Sequence, residues 1–297
     1  MDASRDRMSD QKFGFVLLTP GIMFVLCIAI YPILRILWLS FQTQNLGTDL
    51  HAKFSGMDNY IRVINDGHFF QSIYTTCIFT FIAVSIELLL GLGFALLLNE
   101  TFRGRGFVRA CALIPWAMPT AVLALAWTWV FNDQFGIFND LLINTGIISH
   151  PVVWLGGTTT AMFAVIFADV WKTAPFMMII LLAGMQNIRR DLYEAIQIDG
   201  AHSVKSFTLV TLPMLMPSIT LALLFRIIQS FGIFDLVFVM TGGGPGNSTE
   251  TVAIYTYNTF LRYLDFGYGA AMIIVTFFIM AGLSLAIYWP LKRFNQN

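Results

Sequence analysis

Arg189-Arg190-Asp191-Leu192-Tyr193-Glu194-Ala195-Ile196-Gln197-Ile198-Asp199-Gly200-Ala201-His202-Ser203-Val204-Lys205, followed by Leu212-Pro213 and Pro217, is the longest compact polar stretch in an otherwise apolar chain. Asp191 with Glu194 three residues on has the form of a capping box, in which acidic side chains satisfy the first exposed N–H groups of a helix. Gly200 stands where a short helix ending near Asp199 needs a residue free to take positive φ. A second short helix is expected from Ser203 up to Pro213, since proline is tolerated at a helix start but not in its interior. The segment reads as helix, sharp turn, helix between two apolar runs, which is the shape of a docking element.

These residues carry a resemblance. Glu194-Ala195, Asp199-Gly200-Ala201 and the later Leu212-Pro213 look like the EAA loop of ABC-importer permeases. The wider chain, from about Phe13 to Leu291, resembles the maltose and glycerol-phosphate type of sugar permease. One departure is Ile196, which stands where the pattern has its second alanine and makes the docking surface bulkier.

Composition sets the class independently. Of the 297 residues, 57% are hydrophobic and only 11% charged, and the mean hydropathy is +0.72. Soluble globular chains carry charge on about a quarter of their residues, so this composition implies a membrane protein. The formal net charge is zero, and no basic tract is dense enough to suggest nucleic acid. Cys27, Cys77 and Cys111 all fall in apolar runs. Their odd number argues against a disulfide framework and their spacing excludes a zinc site, so they read as small core-packing residues.

The fold expected is all-α, with six spans at about 13–34, 72–99, 110–131, 160–185, 213–240 and 266–291. The first span holds no charge, and at ~1.5 Å per residue it covers the ~30 Å hydrocarbon core. A cleaved signal peptide is the rival reading, but the run is too long and lacks a small-x-small cleavage site. Residues 1–12 form an N-terminal segment, 13–291 the transmembrane domain with its loop at 189–212, and 292–297 a tail.

Basic residues orient these spans. Arg5, Arg7, Lys12, Arg103, Arg105, Arg109, Arg189, Arg190, Lys205, Lys292 and Arg293 fall on one side, and Lys53, Arg62 and Arg262 on the other. Both termini and the docking loop are therefore expected in the cytoplasm. Of the external connections, 57–64 has the spacing of a short interfacial helix, as does 135–148. Trp154 suits headgroup depth, and 241–247 is a Gly-Pro turn.

Four ionisable residues fall near the middle of spans: Glu87, Asp169, Lys172 and Arg226. Charges there are costly and take a partner or water. One reading pairs Asp169 with Lys172 and Glu87 with Arg226; the other places some of them on a wet path. Asp235 near Gln229 and Phe231, and Trp171 near Asp169, combine aromatic faces with hydrogen-bonding groups, which suits a sugar ring. Plain helix packing is the alternative fate of Trp171 and Phe231. Pro115, Pro119 and Pro175 loosen their spans without marking a hinge.

No Walker A pattern, metalloprotease helix or nucleophile elbow occurs. The resemblance implies a non-catalytic subunit with the type I ABC-importer permease fold. It further implies a second permease subunit, two cytoplasmic ATPase subunits that bind ATP and Mg, and an external solute-binding protein. The cargo implied is a sugar, oligosaccharide or polyol, and this chain itself would bind no cofactor or metal. Tyr193, Glu194, Ala195, Ile196, Asp199, Gly200 and Ala201 would couple to the ATPases, and Asp169, Trp171, Gln229, Phe231 and Asp235 would line the path. The rivals are a proton-coupled transporter using Glu87, Asp169, Lys172 and Arg226, and an integral-membrane enzyme.

Overall fold

The long apolar runs are mostly helical in the computed structural model, which describes residues 10–47, 49–198 and 200–294. Helix α1 spans Asp10–Ser40 and is followed by the strands β1 (Gln42–Asn45) and β2 (Asp49–Phe54) and the short helix α2 (Asp58–Ile64). Then come α3 (Gly67–Asn99), α4 (Arg105–Ala117), α5 (Thr120–Val130), α6 (Ile137–Asn144), α7 (Thr158–Gln186) and α8 (Arg190–Ile198). The last part holds α9 (Ser203–Ser206), a π turn at Phe207–Thr211, α10 (Leu212–Phe231), α11 (Asp235–Met240), α12 (Val252–Tyr257), a second π turn at Asn258–Arg262, and α13 (Phe266–Phe294). Arg5, Arg7 and Asp199 lie outside the described residues.

Among the described residues, five helices are long and apolar enough to cross a membrane: Gly14–Ser40, Gly67–Asn99, Thr158–Gln186, Ser203–Phe231 and Phe266–Pro290. The sixth expected span, 110–131, is not one straight helix. It is the pair α4 and α5, bent by 91°. Met118 is the cause: preceding Pro119, it is driven out of the helical region, and its ψ of 140° is extended. Pro115 and Pro175 lie within helices that continue past them.

The span expected at 213–240 is also placed differently. It starts earlier, at Ser203, and stops at Phe231, with α11 as a separate short helix. Pro213 therefore does not end a helix from Ser203. Proline lacks the N–H of the helical ladder and crowds the carbonyl four residues back, and the wider π turn at Phe207–Thr211 lies just ahead of it.

The described parts of Met1–Asp66 and Thr256–Phe277 form one compact unit, and those of Gly67–Tyr255 and Phe278–Asn297 another. In the first, β1 and β2 make an antiparallel hairpin that the all-helical reading lacked. Neither strand has the β-branched alternation that would announce it. Asn59 holds its base by donating to the carbonyls of Ser40 (2.9 Å) and Gln42 (2.8 Å). Arg62 donates to Asp265 at 2.7 Å and lies 3.8 Å over the Tyr268 ring. Helices α2 and α6 fall where short helices were expected.

In the second unit α3 and α7 pack side by side, and small residues let them approach. A Cβ on Gly91 would stand 2.5 Å from the Met177 Cβ, so only glycine fits. At Gly184 a Cβ would lie 2.3 Å from the Ser218 Oγ, which brings α7 equally close to α10. Arg105 and Arg109 donate to the carbonyls of Asn99 (3.2 Å) and Leu98 (2.8 Å), closing the C-terminal end of α3. Trp154 joins an aromatic cluster with Phe131 and Phe138, its indole N–H donating to Asn139 at 2.8 Å. Cys27 and Cys111 are exposed and not core-packing.

Candidate functional site

Two places concentrate polar chemistry. The first is where Glu87 on α3, Asp169 on α7 and Arg226 on α10 meet. Arg226 and Gln229 are one turn apart on α10, as are Asp169 and Thr173 on α7, so each pair shares a helix face. The Arg226 guanidinium grips Glu87 with both ends of its fork, Nε to Oε2 at 2.6 Å and Nη2 to Oε1 at 2.7 Å. Nη2 also donates to Asp169 Oδ2 at 3.0 Å, and Nη1 to Gln229 Oε1 at 3.1 Å. The Thr173 hydroxyl lies 2.6 Å from Glu87 Oε1 and 2.6 Å from the Asp169 carbonyl. Glu87 is 0% exposed, Arg226 3% and Asp169 5%, so these contacts replace water almost completely.

Of the expected pairs, Glu87 with Arg226 is found and Asp169 with Lys172 is not. Asp169 bonds to Arg226 on another helix, not to Lys172 on its own. The Lys172 ammonium reaches the Trp116 carbonyl at 3.3 Å. In an unbroken helix that carbonyl would accept from the Thr120 N–H; the bend at Met118 frees it, and the lysine supplies the missing donor. The side chain expected to balance a charge thus braces the break in α4–α5.

Beside the triad lies a cavity of about 230 Å³. Of the five residues expected on a path, Asp169, Gln229 and Asp235 line it, with Lys172 and Arg226. Phe231 does not: it is 2% exposed and lines a separate apolar groove with Phe81, Val84 and Ile287. Trp171 does not line it either, standing edge-on to Trp127 with ring centroids 5.6 Å apart. The reason is angular. Trp171 is two residues from Asp169, and Phe231 two from Gln229. At ~100° per residue each points to the opposite side of its helix. The aromatic walls of the cavity are Trp116 and Phe234 instead, with Thr120 beside them. Both aromatics belong to interruptions, Trp116 to the end of α4 and Phe234 to the gap before α11. The prolines at 115 and 119 were the sequence signal for the first.

The second place is the turn around α8. Gly200 has φ +74°. Its N–H donates to the Gln197 carbonyl at 3.0 Å, and that of Ala201 to the Ile196 carbonyl at 3.1 Å. This is the bonding of a Schellman stop, for which a left-handed glycine is the natural residue. Asp191 is occupied with Arg189, whose Nε donates to it at 3.1 Å, so it does not form the expected capping box. Glu194 and Ala195 are exposed, and Glu194 makes no hydrogen bond. The Tyr193 hydroxyl ties α8 to the Thr211 hydroxyl at 3.0 Å. Ile198 is 86% exposed and Val204 75%, two uncovered apolar residues that sequence reading did not single out.

Residues 87–296 match the family described as the binding-protein-dependent transport system inner membrane component. The chain is 40% identical over 294 residues to the trehalose/maltose transport system permease protein MalF of Thermococcus litoralis, covering 99% of this chain and 98% of that one. It is 38% identical over 270 residues to the sulfoquinovosyl glycerol transport system permease protein SmoG of Agrobacterium fabrum, covering 91% and 87%. A chain from the crystal structure of a bacterial alginate ABC transporter, in complex with alginate pentasaccharide-bound periplasmic protein, superposes with TM-score 0.81. It covers 96% of each chain at 20% identity.

Proposed function

The chain belongs to the family of inner membrane components of binding-protein-dependent transport systems, and from that premise we propose that it carries a sugar, oligosaccharide or polyol into the cytoplasm. The observation that carries this reading is the cavity at the triad. It sets an aromatic face, Trp116 or Phe234, beside the Gln229 amide and the Asp235 carboxylate. A sugar ring presents an apolar C–H face and a rim of hydroxyls, and these groups complement both. The named relatives, which are permeases for trehalose/maltose and sulfoquinovosyl glycerol, support the same cargo class.

ATP hydrolysis belongs on this reading to two cytoplasmic ATPase subunits, with ATP and Mg bound there. A second permease subunit completes the path, and an external solute-binding protein delivers the cargo. Tyr193, Glu194, Ala195, Ile196, Gly200 and Ala201 form the element the ATPases push, with Asp199 between them. Glu87, Asp169 and Arg226 act as a fixed strut. One guanidinium holds both carboxylates, which supports a structural role over proton coupling.

Asp235→Ala and Gln229→Ala are each expected to lower solute uptake by about tenfold, the cost of one hydrogen bond to a buried polar ligand. Assembly with the ATPases should be unchanged, because Asp235 is exposed within the chain. Loss of assembly in Asp235→Ala would make the residue structural and remove it from the path.

Sidedness is tested separately. The eleven basic residues named above support a cytoplasmic position for both termini and the α8 loop. A cysteine replacing the exposed Ser203 should react with an impermeant maleimide only from the cytoplasmic face. One replacing the exposed Ser149 should react only from outside. Reaction of both from one face would overturn the topology.

A further inference from the structure

The charges around the cavity are not equally available to a ligand. Arginine has five N–H donors, and Arg226 has committed four: two to Glu87, one to Asp169 and one to Gln229. Lys172 gives one of its three N–H donors to the Trp116 carbonyl and stands one turn from Asp169, so that Glu87, Asp169, Arg226 and Lys172 together sum to zero charge. Asp235 is the opposite case. It lines the cavity, is exposed, and makes no hydrogen bond or ion pair. Among the described charges around the cavity, Asp235 therefore leaves one negative charge in excess. The amide of Gln229 is committed on one side: its oxygen accepts from Arg226, so its NH2 is the end left for a ligand. An adjacent donor amide and acceptor carboxylate suit a hydroxyl, which can accept from one and donate to the other. A ligand carboxylate, sulfate or phosphate can only accept, and beside Asp235 it meets a like charge.

We propose that this cavity selects neutral polyhydroxy compounds and rejects their anionic counterparts, with Asp235 as the charge filter and Gln229, oriented by Arg226, as the hydroxyl donor. The proposal rests on the cavity being the cargo path. Like charges brought together at a recognition site discriminate strongly against the wrong partner, and here the cations Arg226 and Lys172 are already balanced in charge by Glu87 and Asp169.

The test uses the assembled transporter in nanodiscs without its solute-binding protein, so that delivery does not impose its own selectivity. Saturation-transfer difference NMR would compare trehalose with the same disaccharide oxidised to a carboxylate at one C6. At pH 7 the intact complex should transfer magnetisation to trehalose at least about tenfold more strongly than to the acid. Asp235→Asn should bring the two within about twofold, and Asp235→Glu should restore the discrimination. Equal transfer to both sugars in the intact complex, or an unchanged ratio in Asp235→Asn, would overturn the filter. Failure of the underlying reading looks different. Trehalose contacts that persist unaltered in both Trp116→Ala and Asp235→Asn, or their absence from the intact complex, would place the cargo path elsewhere.

Discussion

Arg226→Met is expected to prevent accumulation of folded permease. The substitution keeps a long side chain of similar reach but removes the cation that two buried carboxylates share. Glu87 and Asp169 would remain 0% and 5% exposed, in the middle of apolar helices, without the guanidinium that both now bond. Breaking a buried ion pair by deleting one partner costs about 3–5 kcal/mol, and here one deletion orphans two acids. That is a large part of the whole stability of a folded domain. Size-exclusion chromatography of a fluorescent fusion, with its thermal midpoint in detergent, would read the effect. Arg226→Lys should be intermediate, because a single ammonium cannot span both Glu87 oxygens and Asp169. The informative variant is the triple exchange Glu87→Gln, Asp169→Asn, Arg226→Met, which removes charge on both sides. It should recover most of the lost accumulation, because replacing a whole buried ionic cluster is far cheaper than breaking it. If Arg226→Met accumulates with an unchanged midpoint, the strut is not structural.

How much of this was legible in the sequence depends on how local each signal is. The α8 turn was readable because its cause is local: Gly200 takes positive φ in its own turn, and Ala201 bonds back only as far as Ile196. Four of the spans were readable as helices because length and hydropathy suffice for a membrane segment. The partner of Asp169 was not. Lys172, one turn away, is the natural guess from spacing, whereas Arg226 is 57 residues away. Only the packing of α7 against α10 decides between them, through contacts such as Gly184 on Ser218. The aromatic lining was misread for a related reason. Trp171 and Phe231 are near the polar residues along the chain but on opposite helix faces. Trp116 and Phe234 reach the cavity through breaks whose direction no periodicity encodes.

Gly200→Val is expected to abolish coupled transport while leaving membrane insertion intact. A Cβ on Gly200 would meet nothing within 4 Å, so crowding is not the obstacle. The obstacle is φ at +74°, a conformation that costs ordinary L-residues about 1–2 kcal/mol and β-branched ones more. To escape it, valine must undo the two hydrogen bonds that end α8, and the helix then leaves its course. A projecting helix transmits a push only if it is held stiffly, since slack absorbs the displacement first. The controls follow from the same geometry. Gly200→Asn should keep most uptake, because asparagine visits the left-handed region with little penalty. Gly200→Ala should fall between. Glu194→Ala leaves the turn intact and probes the exposed carboxylate, which has no bond within the chain to lose. Any defect it shows must therefore arise at a partner surface, and Ile198→Asp should deepen it by placing a charge where an apolar residue stands uncovered. The measurement is solute uptake set against substrate-stimulated ATP hydrolysis in the reconstituted complex. Valine should lose uptake by more than about tenfold, and asparagine by less than about threefold. Equal losses in Gly200→Val and Gly200→Asn would show that side-chain bulk, not backbone conformation, is what the site resists. If valine keeps both uptake and stimulated hydrolysis, the force from the ATPases enters the spans somewhere other than α8.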